Sequence, residues 1–297
     1  MRATDSFAQY HPAVNFFYFA SVIGFSVALR HPIYSAISLL GALVYLVLCE
    51  KKKGGLLALK FGLPILIFTF LLNPVFNHEG VTLLCYLPLG NPLTLESILY
   101  GLSAGVMFAA VLLWLANVNR VFTTDKYVCL FGKLLPALSL LISMTLRLIP
   151  KLRRRFSIVK EAQKGLGVDT ENGSLLSRLK STARVFSIVV TWELESGIES
   201  ADSMKSRGYG LRGRTSYSLY RFEPRDEFCL AVIFLLDFLL FFGSVAGGAA
   251  FRFYPSVYMA APTPMTIFLQ IAYGVLCFLP VILCTHRKET TQWNVTR

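Results

Sequence analysis

Long apolar runs separated by short polar breaks set the architecture of this chain. Runs at 13–29, 33–49, 56–76, 97–118, 228–250 and 265–285 are each close to the length a helix needs to cross a bilayer's hydrocarbon. The expected fold class is all-α: a polytopic membrane helix bundle of about six spans, with a helical domain on the cytoplasmic side. His11-Pro12 and His31-Pro32 each stand before a run, and proline is well tolerated in the first turn of a helix, so both pairs read as helix starts. Residues 50–55 read as a short basic loop. Pro64 lies inside the third run, where it frees a backbone carbonyl. Residues 77–96 read as a loop nearly free of basic residues. Gly101 and Gly105 have the spacing that lets a second helix approach closely.

One long polar stretch interrupts this pattern. It divides the chain into residues 1–118 (N-terminal membrane helices), 119–226 (a cytoplasmic helical insert) and 227–297 (C-terminal membrane helices and a polar tail). Within the insert, 134–150 is apolar enough to span. Basic residues lie on both sides of it, however, and Pro136, Ser139, Ser143 and Thr145 interrupt it. It is expected to lie along the inner membrane face or beneath the bundle. The insert then reads as two helical arms, about 134–166 and 174–206, joined by a break at 165–173 rich in glycine and turn formers. In the second arm Val185, Ile188, Trp192, Ile198, Ala201 and Met204 recur mostly at three- and four-residue steps. Glu193, Glu195, Glu199 and Asp202 fall mainly elsewhere on the wheel, so the arm is amphipathic.

Composition agrees with a membrane protein. The chain is 55% hydrophobic and 15% charged, with mean hydropathy +0.57, against about 25% charged in soluble domains. Residues 119–226 hold 19 of the 29 lysines and arginines against 10 acidic residues, so nine of the twelve net positive charges sit in the insert. A basic block suits nucleic acid or a cytoplasmic loop, and among membrane runs the second reading prevails, with no nucleic-acid partner. With six spans and both termini inside, Lys51–Lys53, the insert and the tail all face the cytoplasm. The six cysteines form no CxxC pair and read as small apolar residues.

Little chemistry of an enzyme is visible. There is no phosphate-binding G-x-x-x-x-G-K-[ST] loop, no HExxH, and the four histidines are far apart, so no catalytic residue, metal site or cofactor is expected. Asp237 lies mid-run, where a carboxylate is costly. It reads as a hydrogen-bonded or protonated residue at a helix contact, with an ion-coupled secondary transporter using Asp237 as the alternative function. Arg207, in Ser206-Arg207-Gly208-Tyr209-Gly210, has two readings. It is either a cation near the negative end of a helix or an arginine presented on a rigid rod to a carboxylate pocket of another protein.

NHEG at 77–80, TTDKYVCLFGKLLPALSLLISMTLRLIPKL, KEAQKGLG and ESADSMKSRGYGLRGRTSYS together resemble the transmembrane T component of energy-coupling factor (ECF) transporters, bacterial and archaeal importers of vitamins and trace metals. The resemblance implies a non-catalytic scaffold in the bacterial cell membrane. Its partners would be two ABC-type ATPase subunits, a substrate-binding membrane (S) subunit and the lipid bilayer. It implies that two coupling helices end in X-Arg-X motifs docked on the ATPases. The second motif matches Ser206, Arg207 and Gly208. The first falls at Gly165, Leu166 and Gly167, where Leu166 replaces the arginine, with Lys164 or an apolar contact by Leu166 serving in its place. Arg147 and Pro150 resemble the family's Arg-x-x-Pro element, and Glu199, Asp202 and Tyr209 lie beside the second motif as supporting residues.

Overall fold

Prolines open five of the helices, because a first-turn residue has no intrahelical partner for its missing N–H. The computed structural model describes residues 6–50, 52–86, 92–132, 136–167, 174–211, 220–248, 251–259 and 263–295. In chain order the helices are α1 (Pro12–Ala28), α2 (Pro32–Glu50), α3 (Lys52–Phe76), α4 (Leu95–Val121), α5 (Thr124–Gly132), α6 (Pro136–Gly165), α7 (Leu175–Ser206), α8 (Pro224–Gly243) and α9 (Pro264–Val295). Among the described residues, five stretches are long and apolar enough to cross a membrane: Pro32–Cys49, Gly54–Phe76, Leu95–Val121, Pro224–Gly247 and Pro264–Thr285. α1 is apolar but shorter, at 17 residues. The chain is a multi-pass membrane protein of all-α class.

Both His-Pro pairs start helices, and the histidines cap them. Nδ1 of His11 accepts from the Ala13 N–H and Nδ1 of His31 from the Ile33 N–H, each at 3.2 Å. Each imidazole thus satisfies one of the orphan donors of a helix's first turn.

Several boundaries differ from the expectation. Of the stretch expected as a basic loop at 50–55, Glu50 closes α2 and Lys52–Gly55 are already in α3, while residue 51 lies outside the described residues. The loop at 77–96 contains an antiparallel pair, β1 (Leu83–Tyr86) with β2 (Pro92–Thr94). A second short pair, β3 (Phe251–Arg252) with β4 (Tyr258–Met259), lies between α8 and α9. α9 continues through Val295, so most of the polar, basic tail is helical. In agreement with a first arm over about 134–166, residues 136–150 are the first half of one continuous helix, α6, with Pro150 inside it, while 134 and 135 lie outside the described residues.

The chain folds as two compact units, Met1–Thr123 with Tyr220–Arg297, and Thr124–Leu219. In the first, a buried aromatic cluster sits between the helices. Phe7 packs edge-on to Tyr18 at 5.0 Å between ring centres, and Tyr18 lies 6.1 Å from Trp114. A hydroxyl network joins four helices: Ser26 Oγ lies 2.6 Å from Ser38 Oγ and 2.9 Å from the Tyr273 hydroxyl, and the Trp114 indole N–H donates to Ser38 at 2.9 Å. Side-chain hydrogen bonds of this kind hold helices together where hydrocarbon removes the hydrophobic drive. Gly101 and Gly105 do admit a neighbour, which is α3. A Cβ at Gly105 would lie 3.0 Å from the Leu66 carbonyl oxygen, and one at Gly101 would lie 3.0 Å from Asn73 Cβ. The outer side of α3, with Leu56, Leu59, Phe68 and Leu71, is exposed, as a lipid-facing surface requires.

Candidate functional site

The second unit is organised on the antiparallel pair α6 and α7. Val159, Val185 and Val189 are buried between them, with Leu152 and Phe156 packed alongside. Polar ties continue the same register. Lys151 Nζ donates to Ser196 Oγ at 2.8 Å and lies 3.3 Å from the Glu193 carboxylate. Arg155 Nη1 lies 2.8 Å from Glu193 Oε1 as an ion pair, while its N–H is directed at the Trp192 carbonyl at 3.2 Å. Its guanidinium also sits over the Trp192 ring at 4.3 Å.

This corrects the reading of the second arm. Glu193, placed by its polarity on the outer face, turns inward and its side chain is only 10% exposed. Ile188 and Ile198, placed on the packing face, are exposed. The seam follows Val185, Val189 and Ser196, a spacing of four and seven. The cations of α6 draw Glu193 toward it, so the seam is part apolar and part ionic.

Over the described residues the two helices of the pair end alike, each in a glycine of positive φ. At the end of α7 the Arg207 N–H bonds the Ser203 carbonyl (3.2 Å), the Gly208 N–H the Lys205 carbonyl (3.0 Å) and the Tyr209 N–H the Met204 carbonyl (3.0 Å), with Gly208 at φ +76°. This is a Schellman cap, whose left-handed residue favours glycine. At the end of α6 the Leu166 N–H bonds the Ala162 carbonyl (3.3 Å) and the Gly167 N–H the Lys164 carbonyl (3.0 Å), with Gly167 at φ +83°. Leu166 and Arg207 therefore occupy equivalent positions, the last before a left-handed glycine, and both are exposed. Because the helices run antiparallel, the two ends lie at opposite ends of the pair. The 32 residues of α7 correspond to about 48 Å of helix.

The remaining candidates distribute between these ends. Glu199 and Asp202 are exposed on the last turns of α7, Ser206 Oγ donates to the Ser203 carbonyl at 2.9 Å, and Tyr209 completes the cap. Lys164 is exposed on the last turn of α6, followed by Gly165. Arg147 is exposed on α6, away from its C-terminal cap. Most of the break, 168–173, lies outside the described residues, as does 212–219.

The cobalt transport protein family model, CbiQ, matches residues 9–217, more than half of the 297. The chain belongs to the CbiQ family. A relative from Bacillus selenitireducens, the energy-coupling factor transporter transmembrane protein EcfT, is 30% identical over 218 residues, 65% of this chain and 77% of that protein. The EcfT of Bacillus subtilis is 28% identical over 193 residues, 60% of this chain and 71% of that protein. The EcfT of Lactococcus lactis is 33% identical over 104 residues, 35% of this chain. The match spans 39% of that protein's length, and 38% of the length of the Lactobacillus helveticus EcfT.

In this CbiQ-family chain the NHEG segment fastens the end of α3 to the segment between α8 and α9 and to the start of α4. Asn77 Nδ2 donates to the Tyr254 hydroxyl at 2.9 Å, and the Glu79 carbonyl accepts from Thr94 Oγ1 at 2.8 Å. A Cβ at Gly80 would stand 2.6 Å from Glu96 Oε2 and 2.8 Å from Thr94 Oγ1, so glycine is required there. Two acidic residues with structural roles escaped the sequence reading. Glu96, buried in the first turn of α4, accepts from both the N–H and the hydroxyl of Thr82. Asp226, buried in the first turn of α8, accepts from the backbone N–H groups of Glu223 (3.0 Å) and His11 (3.2 Å). The signal was present in each case: an acid in the first turn of a helix, where unpaired N–H groups gather. Asp237 accepts from Ser21 Oγ at 2.5 Å, a contact between α8 and α1 that fits the hydrogen-bonded reading of this residue.

Proposed function

We propose that this chain is the membrane scaffold subunit of an ECF-type importer. It would transmit ATP hydrolysis by two ABC-type ATPase partners to a substrate-binding membrane subunit that takes up a vitamin or a metal ion. The family description names cobalt transport, and the relatives' names place them in energy-coupling factor transporters. The observation that carries the reading is the pair of equivalent caps at opposite ends of one antiparallel helix pair. Two ATPases working as a pair need two contact points on the scaffold, and rigid helices carry displacement between them.

In this reading Ser206, Arg207 and Gly208 dock in one ATPase, with the Arg207 guanidinium on a carboxylate. Lys164, Gly165, Leu166 and Gly167 dock in the other. Glu199, Asp202 and Tyr209 support the α7 end, and Arg147 and Pro150 support α6. When ATP closes the ATPase pair the docked tips move together, and α6 and α7 shift against each other about the Arg155–Glu193 contact. The movement reaches the substrate-binding subunit, which releases its cargo inside. The scaffold itself uses no catalytic residue and no cofactor. It resides in the bacterial cell membrane with both termini and the α6–α7 unit in the cytoplasm, as the placement of basic residues favours.

The test is affinity purification of the tagged chain from its own membranes, for wild type and Arg207→Glu, with uptake assayed in parallel. Wild type should bring down ATPases and a small membrane subunit. Arg207→Glu should lose ATPase and uptake together. Unchanged assembly and transport in the variant would refute the docking role.

A further inference from the structure

The β1–β2 hairpin is polar at its root and apolar beyond it. At the root the Thr82 N–H and hydroxyl bond the buried Glu96 carboxylate, Thr94 Oγ1 donates to the Glu79 carbonyl, and the Leu95 N–H bonds the Thr82 carbonyl at 3.1 Å. Both threonine hydroxyls are thus spent on the protein. Beyond the root the register slips between Leu83 and Cys85, which breaks the alternation of a flat strand, and every residue of β1 is exposed. Val81 is 73% exposed and Tyr86 67%, with Leu83 and Leu84 exposed beside them. No charged residue occurs from 81 to 95.

This surface continues one that already faces lipid. The hairpin joins two spans, α3 and α4, and the exposed side of α3 runs up to it through Leu71, Val75 and Phe76, the last 77% exposed. The β3–β4 segment lies at the same end of the bundle: Asn77 bonds the Tyr254 hydroxyl, Tyr100 packs on Phe253 at 5.2 Å between ring centres, and His31 packs on Phe251 at 5.0 Å. Val257 and Tyr258 are exposed there. Among the described residues that join the helices at this end, the exposed charged ones are Arg30, Glu79 and Arg252. None of them lies on β1 or β2.

We propose that the β1–β2 hairpin is a lipid anchor, lying in the bilayer's interface beside α3 with Leu83 and Leu84 on the upper acyl chains and Tyr86 among the headgroups. Continuity with the exposed side of α3 selects lipid, because an apolar surface that adjoins a span without a charged break meets the same solvent as the span. The backbone selects the interface over the hydrocarbon. β1 and β2 form a two-stranded sheet, whose outer edges carry N–H and C=O groups that hydrocarbon cannot satisfy and headgroups or interfacial water can. Tyrosine, apolar in body and polar at its tip, suits the same level. An anchor rooted on Glu96 resists sliding of α4 along the membrane normal. The proposal does not depend on which protein docks at α6 or α7.

The experiment places a tryptophan at Tyr86 or at Leu84, both exposed, in the full chain with its co-purified partners and in the chain alone. Each is reconstituted in phosphatidylcholine vesicles brominated near the top of the acyl chains or near their ends. Emission is read as the difference from wild type, which carries three native tryptophans. Tyr86→Trp and Leu84→Trp should both emit at shorter wavelength than tryptophan in water. Both should lose more intensity to bromine near the top of the chains than to bromine near the ends, and little to aqueous iodide, with and without partners. Strong quenching by iodide and none by brominated lipid would overturn the proposal, as would deepest quenching by bromine at the chain ends. Shielding from both quenchers, or lipid quenching that disappears when the partners are present, would also overturn it and assign the hairpin to a protein contact.

Discussion

The membrane unit and the α6–α7 pair are held together by different means. In the first, four helices share a buried chain of hydroxyls and an indole, a cluster of aromatic rings, and glycines that bring backbones into contact. In the second, 30- and 32-residue helices share three buried valines, two packed neighbours and one ionic cluster. Much of their length is exposed, including the leucines at one end. A unit tied at many points resists deformation more than a pair whose ties span a few turns of two long helices. The contrast teaches that, among the described residues, polar and close-packed ties are spread over several helices of the membrane unit and are confined to one stretch of the α6–α7 seam.

Four substitutions or conditions would sharpen this contrast, from the largest effect downward. Gly105→Leu forces a side chain against the Leu66 carbonyl, which lies 3.0 Å from even a Cβ. It should destabilise the membrane unit by ~3 kcal/mol or more, seen as a large drop in melting temperature in detergent. A small drop would mean that α3 is only loosely attached. Glu193→Gln removes the charge shared by Lys151 and Arg155 and should loosen the pair by about 1–3 kcal/mol. Hydrogen exchange should rise along α6 and α7 and uptake per ATP should fall, with little change in the membrane unit. The swap Arg155→Glu with Glu193→Arg should restore part of the coupling. Gly208→Ala places a side chain at φ +76°, costing about 1 kcal/mol. The effect should be confined to the last turn of α7 and visible in exchange of the Tyr209 amide.

The smallest effect concerns pH. Burial holds the His31 imidazole below its ordinary value of 6.5, and its neutral Nδ1 caps α2. As pH falls through 6.5 the unfolded chain takes the proton first. The stability contributed by neutral His31 is therefore full above that point and declines below it. Melting measured from pH 7.5 to 5.5 should show a downward trend that His31→Asn flattens. An equal slope in both proteins would remove the histidine cap from the explanation.

Much of the fold could be read from residue order. Apolar length located the spans, and proline after histidine located two helix starts, because both signals are local. The glycine spacing at 101 and 105 foretold a close helix contact without naming α3, since a spacing on one helix does not specify its partner. Glu193 was misplaced for a related reason. Its inward turn is decided by Lys151 and Arg155, some forty residues earlier, and a helical wheel drawn for α7 alone cannot contain them. The caps at Leu166 and Arg207 were legible as glycine-terminated helix ends. Their correspondence was implied by the family resemblance, whereas the hydrogen bonds and left-handed φ values that form them were not legible in side chains. The hairpin at 83–94 escaped notice because its strands are only four and three residues long.

The claim on which the rest depends is that the end of α7 touches an ATPase. A photo-reactive amino acid placed at position 207, in the full transporter and in its own membranes, tests it directly. The expected result is an adduct with an ATPase subunit whose yield changes when nucleotide is added. Adducts with lipid alone, or none while a probe at the seam position 192 behaves the same, would contradict it.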